Sequence, residues 1–219
     1  GINAEYGENM GCGKPTVTIK SDILTDQETN IIFVLGKPGC GKGTLCTNLQ
    51  SKLPITFFSA GQLLRDEVQL HPDSEESKLV QDDMKAGRIV KPEITVRLLK
   101  NAMNQQKDAK VFMIDGFPRE LGQYEFIQQQ IDPKRCYLIH MKCEDNICFE
   151  RIYGRKSGRL DDNEETIKSR LKNFNDETMK VINLFEKNKR LIEVDSMLTK
   201  EETCQQAYDI IRSMKLVRE

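Results

Sequence analysis

From residue 30 onward, short apolar runs alternate with longer amphipathic stretches. Five runs, at 31–35, 55–58, 111–115, 136–141 and 191–194, are rich in β-branched and aromatic residues. Their successive positions are apolar, as in strands covered on both faces, so a parallel sheet between helices is predicted. Ser59-Ala60-Gly61-Gln62 has the form of a capping box that opens a helix. A long helix is predicted to start near residues 162–165, with Ile167, Leu171, Phe174, Ile182 and Phe185 as its apolar stripe. This order of elements predicts a three-layer α/β domain. Right-handed crossovers would bring the carboxyl ends of the strands to one edge, where a site is expected.

Two stretches interrupt the alternation. Residues 61–106 are helical and lie between the second and third strands, and residues 154–163 are rich in Gly and Arg. Both are expected to lie over the active edge as covers. Residues 1–29 carry no sustained period and are expected to form an extension outside the domain at 30–219. Within that extension, Met10-Gly11-Cys12 would be a dual-acylation start, anchoring the chain to a membrane, if Met10 were the initiator. Pro15 stands where that motif has Ser or Thr, and a tag or linker is the other reading.

Composition narrows the function classes. A chain of 219 residues with 38% hydrophobic and 31% charged residues can bury one sizeable core and is not disordered throughout. The longest apolar run, 31–35, is far short of the roughly 20 residues of a membrane-spanning helix. With 33 Lys+Arg against 34 Asp+Glu there is no global basic field, so nucleic acid is not an expected partner. Seven cysteines without a CxxC pair, and two histidines, suggest neither a disulfide framework nor a zinc site. Reduced thiols, no secretory leader and a cytoplasmic location are expected.

The chemistry concentrates after the first predicted strand. Gly36-Lys37-Pro38-Gly39-Cys40-Gly41-Lys42-Gly43-Thr44 has the spacing of a phosphate-binding loop, whose backbone N–H groups curl around phosphate oxygens at a helix N-terminus. Lys42 would reach the β- and γ-phosphates. Gly11-Cys12-Gly13-Lys14 imitates the pattern without a preceding strand. The hydroxyl of Thr44 comes one place later than in the generic loop, because Gly43 follows the lysine.

That loop occurs together with Ser59-Ala60-Gly61-Gln62-Leu63-Leu64-Arg65, Asp115-Gly116-Phe117-Pro118-Arg119 and Gly158-Arg159-Leu160-Asp161-Asp162-Asn163. In these four motifs the chain resembles the nucleoside monophosphate kinases, the adenylate kinase and UMP/CMP kinase family, from residue 30 to about 213. The resemblance implies a doubly wound P-loop fold with a five-stranded parallel sheet. It also implies a monophosphate-binding helical insertion at about 59–90 and a short lid at about 154–163. The implied activity is reversible transfer of the γ-phosphoryl group of MgATP to a nucleoside monophosphate. No residue need be a covalent nucleophile, so direct transfer is expected, and a hinged lid without an obvious apolar patch favours a monomer. ATP would bind Gly39, Cys40, Gly41, Lys42, Gly43 and Thr44, with Arg155 and Leu198. The monophosphate would bind Ala60, Arg65, Arg88, Val90, Gly116, Arg119 and Gln123, with Arg159 and Arg170. Lys42, Arg119, Arg155, Arg159 and Arg170 would be catalytic. Asp115 would orient Mg²⁺ through its waters, without a direct protein ligand; a turn or cap carboxylate is its other reading. Three residues separate Arg155 from Arg159, fewer than in the family's short-lid pattern.

Physical chemistry supports these residue types. Phosphoryl transfer needs two substrates held in line, their charge neutralised and water excluded, and the planar fork of arginine grips phosphate oxygens in pairs. Base preference is less determined. Gln123, four places after Arg119, matches the adenine-reading glutamine of adenylate kinases, whereas Ala60 and residues 94–99 and 143–148 look more like UMP/CMP kinases. A UMP/CMP kinase with some AMP use and an adenylate kinase both remain open. A non-catalytic nucleotide-binding scaffold would predict decay of the site, yet Lys42, Arg65, Arg119 and Arg159 are all present. Cys40, at a helix N-terminus beside lysines, is expected either to have a lowered thiol pKa or to be simply a small residue in a tight loop.

Overall fold

The computed structural model describes residues 28–106, 108–154 and 163–217. Residues 155–162, which include Arg155 and Arg159, and residues 1–27, which include Met10-Gly11-Cys12, lie outside the described residues. The strands are β1 (Asn30–Gly36), β2 (Thr56–Ser59), β3 (Val111–Asp115), β4 (Cys136–Lys142) and β5 (Leu191–Asp195). They form one sheet in the order β2-β3-β1-β4-β5. Every neighbouring pair is parallel. Four helices, α1 (Lys42–Lys52), α2 (Ala60–Leu70), α3 (Glu75–Lys85) and α4 (Pro92–Asn104), precede β3. Five follow it: α5 (Leu121–Gln128), α6 (Asp145–Gly154), α7 (Glu164–Asn173), α8 (Met179–Lys187) and α9 (Lys200–Ser213).

Alternation along the strands divides the core into two layers. Phe33, Phe112 and Ile114 face α4, α5 and α8, where Phe33 meets Phe117 and Phe185 with ring centroids 6.0 Å apart. Ile32, Val34 and Met113 face α1 and α9 through Leu45, Leu49, Ala207 and Ile211. Thus α1, which follows β1, covers one face, and α5, which follows β3, covers the other. The adjacent strands β1 and β3 send their chains to opposite faces, and a crevice opens between them at their carboxyl ends.

The edges of the sheet depart from two-sided burial. In β5, Ile192 and Val194 are buried but Glu193 and Asp195 are exposed. Every β2 residue is half-buried. An edge strand has a neighbour on one side only, so polar residues there keep access to water.

The predicted long helix is interrupted. Phe174–Thr178 forms a π-helical turn between α7 and α8. The apolar stripe does not reveal it, because one residue of drift leaves Ile182 and Phe185 facing the core. A tertiary bond marks the place: the Thr178 hydroxyl donates to the Arg119 carbonyl at 2.7 Å. Asn163 caps α7 by accepting from the Thr166 N–H at 2.9 Å.

His140 makes the fold acid-sensitive. It is buried on β4 against the ring of Phe174. Burial, reinforced by Lys142, Lys37 and Lys42 and opposed by Glu193, lowers its pKa to about 4. The unfolded chain therefore takes up a proton near pH 6.5 that the folded chain refuses, so this stability is complete above that pH and is lost as pH falls toward about 4. Urea unfolding should show a loss from this residue of about 2 kcal/mol between about pH 7.5 and about pH 5. His140→Gln should flatten that part of the slope; an unchanged slope would refute the assignment.

Candidate active site

The phosphate loop joins the central strand to α1. Gly41 is the N-cap of α1 with φ 97°, and Gly39 has φ 87°. Both conformations favour glycine. A β-carbon at Gly39 would also collide with the Cys148 carbonyl oxygen on α6. Helix α6 is further tied to the loop by Lys37 Nζ, 2.5 Å from Asp145 Oδ1. Lys42 Nζ donates to the carbonyls of Gly36 at 2.8 Å and Lys37 at 3.0 Å, folding its ammonium over the loop. Gly43 and Thr44 are exposed at the start of α1.

The structure decides between the two readings of Cys40. Its side chain is 1% exposed. Burial pushes its thiol pKa up, and the opposing charge of Lys42 does not reverse the shift. Desolvation of a thiolate in the packed loop outweighs the lysine, so Cys40 is the small residue in a tight turn, not an activated nucleophile.

A cleft of about 610 Å³ opens at the carboxyl edge of the sheet. The loop from Gly36 to Thr44 lines it, apart from Lys37, together with Asp115, Arg65, Arg119, Arg170 and Leu198. Of the seven cations expected from sequence, Lys42, Arg65, Arg119 and Arg170 converge there, Arg88 does not line the cleft, and Arg155 and Arg159 lie outside the described residues. A smaller cavity of about 50 Å³ shares Gly61, Arg65, Gly87, Ile89, Gly116, Arg119 and Arg170 with the cleft. Ala60, Arg88, Val90 and Gln123 line this second space.

Local bonds aim the arginines. Ser59 caps α2 by accepting from the Gln62 N–H at 3.4 Å. The predicted capping box is only half made, because the Gln62 side chain turns to Asp66 and to Arg65, accepting from Arg65 Nη2 at 2.9 Å. The fork of Arg119 is anchored through Nε to the Gly116 carbonyl at 2.8 Å. Arg88 pairs with Asp83 at 2.8 Å. Gln123 is buried; its Oε1 accepts from the Arg119 N–H at 2.8 Å and its Nε2 donates to the Val90 carbonyl at 2.8 Å. The amide is therefore held in one orientation. Asp115 Oδ1 is buried without a hydrogen-bond partner at the end of β3. A buried carboxylate oxygen with no partner is costly. Its turn-or-cap reading gives no account of that atom.

Sequence reasoning missed Arg151, Ser196, Lys200 and Thr203, which join Leu198 in lining the cleft on the β5–α9 side. Arg151 Nη2 donates to the Ser196 carbonyl at 2.9 Å, bringing the end of α6 to the loop after β5. The signal in the sequence is faint. A single arginine on a polar helix is usually a solvated charge, and only its place one turn before the Gly/Arg-rich segment sets Arg151 apart.

Among the described residues, no cluster of His, Cys, Asp and Glu could hold a metal ion. Within them, no helix is long and apolar enough to cross a membrane.

With this geometry in place, the chain can be compared with known proteins. The adenylate kinase family model matches residues 34–190. UMP-CMP kinase 2 of Caenorhabditis elegans is 43% identical over 169 residues, 76% of this chain and 88% of the relative. UMP-CMP kinase of Mus musculus is 37% identical over 180 residues, 78% and 91% of the two chains. UMP-CMP kinase of Homo sapiens is 36% identical over 188 residues, 82% and 95%. The family match spans the phosphate loop, the smaller cavity and the arginines that the two cavities share, and the chain belongs to the adenylate kinase family of nucleoside monophosphate kinases.

Proposed function

We propose that the protein transfers the γ-phosphoryl group of MgATP reversibly to UMP and CMP, with AMP as a weaker acceptor. The observation that carries this reading is the arrangement of two adjoining cavities that share Arg65, Arg119 and Arg170. One cavity starts from a phosphate loop, so a triphosphate fits it, and the other suits a monophosphate presented to the same arginines. In this reading Arg65 and Arg119 clamp the acceptor, with Ala60, Arg88, Val90 and Gly116 around it. Residues Gly39 to Thr44 and Leu198 hold ATP, and Arg170 meets the transferring group. The insertion at about 59–90 and the lid at about 154–163, with Arg155 and Arg159, complete the enclosure.

The orphan oxygen of Asp115 beside the phosphate loop fits a hydrated Mg²⁺ that arrives with ATP. The ion would neutralise charge on the phosphates. The chain's own residues position both substrates and exclude water; no side chain needs to form a bond to phosphorus. The six free cysteines among the described residues suit a reducing cytoplasm, and one chain holds both cavities, which suits a monomer.

The pyrimidine preference draws on the names of the relatives and on Ala60 in the acceptor cavity. Gln123 supports a relaxed preference. After its bonds to Val90 and Arg119, its amide retains one N–H and one acceptor lone pair. That pair of groups matches an edge of cytosine, of uracil or of adenine. A coupled assay of ATP with UMP, CMP, AMP and GMP should rank UMP and CMP above AMP, with GMP last. AMP as the best acceptor would favour the adenylate kinase reading, and no transfer to any acceptor would end both.

A further inference from the structure

Residues 85–90 are the last residue of α3 and the turn that leads on toward α4, and Gly87, Arg88, Ile89 and Val90 wall the smaller cavity. Three side chains from other parts of the chain hold this segment by its carbonyl oxygens. The Thr166 hydroxyl donates to the Lys85 carbonyl at 2.6 Å. Asn173 Nδ2 donates to the Gly87 carbonyl at 2.8 Å, and Gln123 Nε2 to that of Val90 at 2.8 Å. Thr166 and Asn173 lie on α7, which also carries Arg170. The approach is close: Gly87 has φ 69°, and a β-carbon there would sit 2.9 Å from the Thr166 carbonyl oxygen and 3.2 Å from Arg170 Cγ. Thr166 is 3% exposed, so its hydroxyl has little alternative to this bond.

From this we propose that Thr166 and Asn173 are positioning residues for the acceptor. They latch the 85–90 wall of the acceptor cavity onto the helix that presents Arg170 to both cavities. Thr166 lines neither cavity, and Asn173 lines the larger cleft but not the smaller cavity. Their hold on the acceptor wall passes through backbone carbonyls. Although Gly87, Ile89 and Asn173 also border the larger cleft, its phosphate-loop, Arg151 and β5–α9 parts, read as the donor site, take no part in these bonds. Breaking the latch lets the acceptor wall move relative to Arg170 and leaves the donor site in place. The inference rests on the reading of the smaller cavity as the monophosphate site.

Thr166→Val keeps the shape and removes the donor, Thr166→Ser keeps the donor, and Asn173→Ala breaks the second bond independently. Each loss should raise the acceptor KM about 3- to 10-fold, by the usual worth of one neutral hydrogen bond, and the double variant more. The ATP KM should stay within about twofold, and Thr166→Ser should restore the acceptor KM. Unchanged acceptor KM in both Thr166→Val and Asn173→Ala would overturn the proposal. So would an equal rise in both KM values, or failure of Thr166→Ser to rescue, since either marks a role in folding alone. The wild-type assay separates the two readings: an inactive wild type refutes the acceptor cavity, whereas an active wild type with indifferent variants refutes the latch.

Discussion

Lys42→Met is expected to lower kcat by about 10²–10³ or more while the protein stays folded. Methionine matches the length of lysine but carries no charge. Lys42 starts α1 and its ammonium donates to the carbonyls of Gly36 and Lys37 on its own loop. Those two bonds are local and part-buried, so their loss should cost about 1–2 kcal/mol, or a few degrees in Tm. The charge matters far more at the transition state, where negative charge moves between donor and acceptor phosphates in a water-poor cleft. Steady-state rates and thermal unfolding, measured side by side, test both halves. Near-normal turnover would remove Lys42 from the mechanism, and a collapse of Tm would show that it serves the fold.

Arg170→Met should lower kcat by about 10²–10⁴ with only small changes in either KM. Arg170 is half-buried on α7 and belongs to the lining of both cavities. A cation at the boundary between donor and acceptor meets the phosphoryl group mainly in transit. Loss of such a contact reduces kcat and kcat/KM together. Arg170→Lys should recover only part of the rate, because an ammonium cannot offer the paired N–H fork. Methionine also preserves the aliphatic stem beside Gly87, so the acceptor wall keeps its packing. A rise in the acceptor KM with kcat unchanged would make Arg170 a ground-state clamp, alongside Arg65 and Arg119.

Much of this was legible in the chain. Strand positions followed from runs such as 31–35, because a strand buried on both faces must be apolar at consecutive positions. The phosphate loop followed from glycines flanking Lys42, because few residues other than glycine adopt the backbone of Gly39 and Gly41. Local patterns also fell short in places. Cys40 beside Lys42 reads either as an activated thiol or as a small residue in a tight loop, and burial decides for the second. The Ser59 and Gln62 pair reads as a capping box, yet the Gln62 side chain serves Arg65 instead.

Gln123 shows the boundary most clearly. Its resemblance to the adenine-reading glutamine of adenylate kinases pointed to a base-reading amide, but its orientation comes from a carbonyl 33 residues away in the chain. Arg151 entered the site through Ser196, 45 residues away, and no local pattern announces such a partner. By itself the sequence determined the order of elements, the phosphate loop and the set of candidate cations, since these depend on short-range backbone preference and on periodic burial. Only the tertiary structure decided which cations meet, how the Gln123 amide is turned and where α7 holds the acceptor wall. Those outcomes depend on carbonyls, charges and buried surfaces that folding brings together from distant parts of the chain.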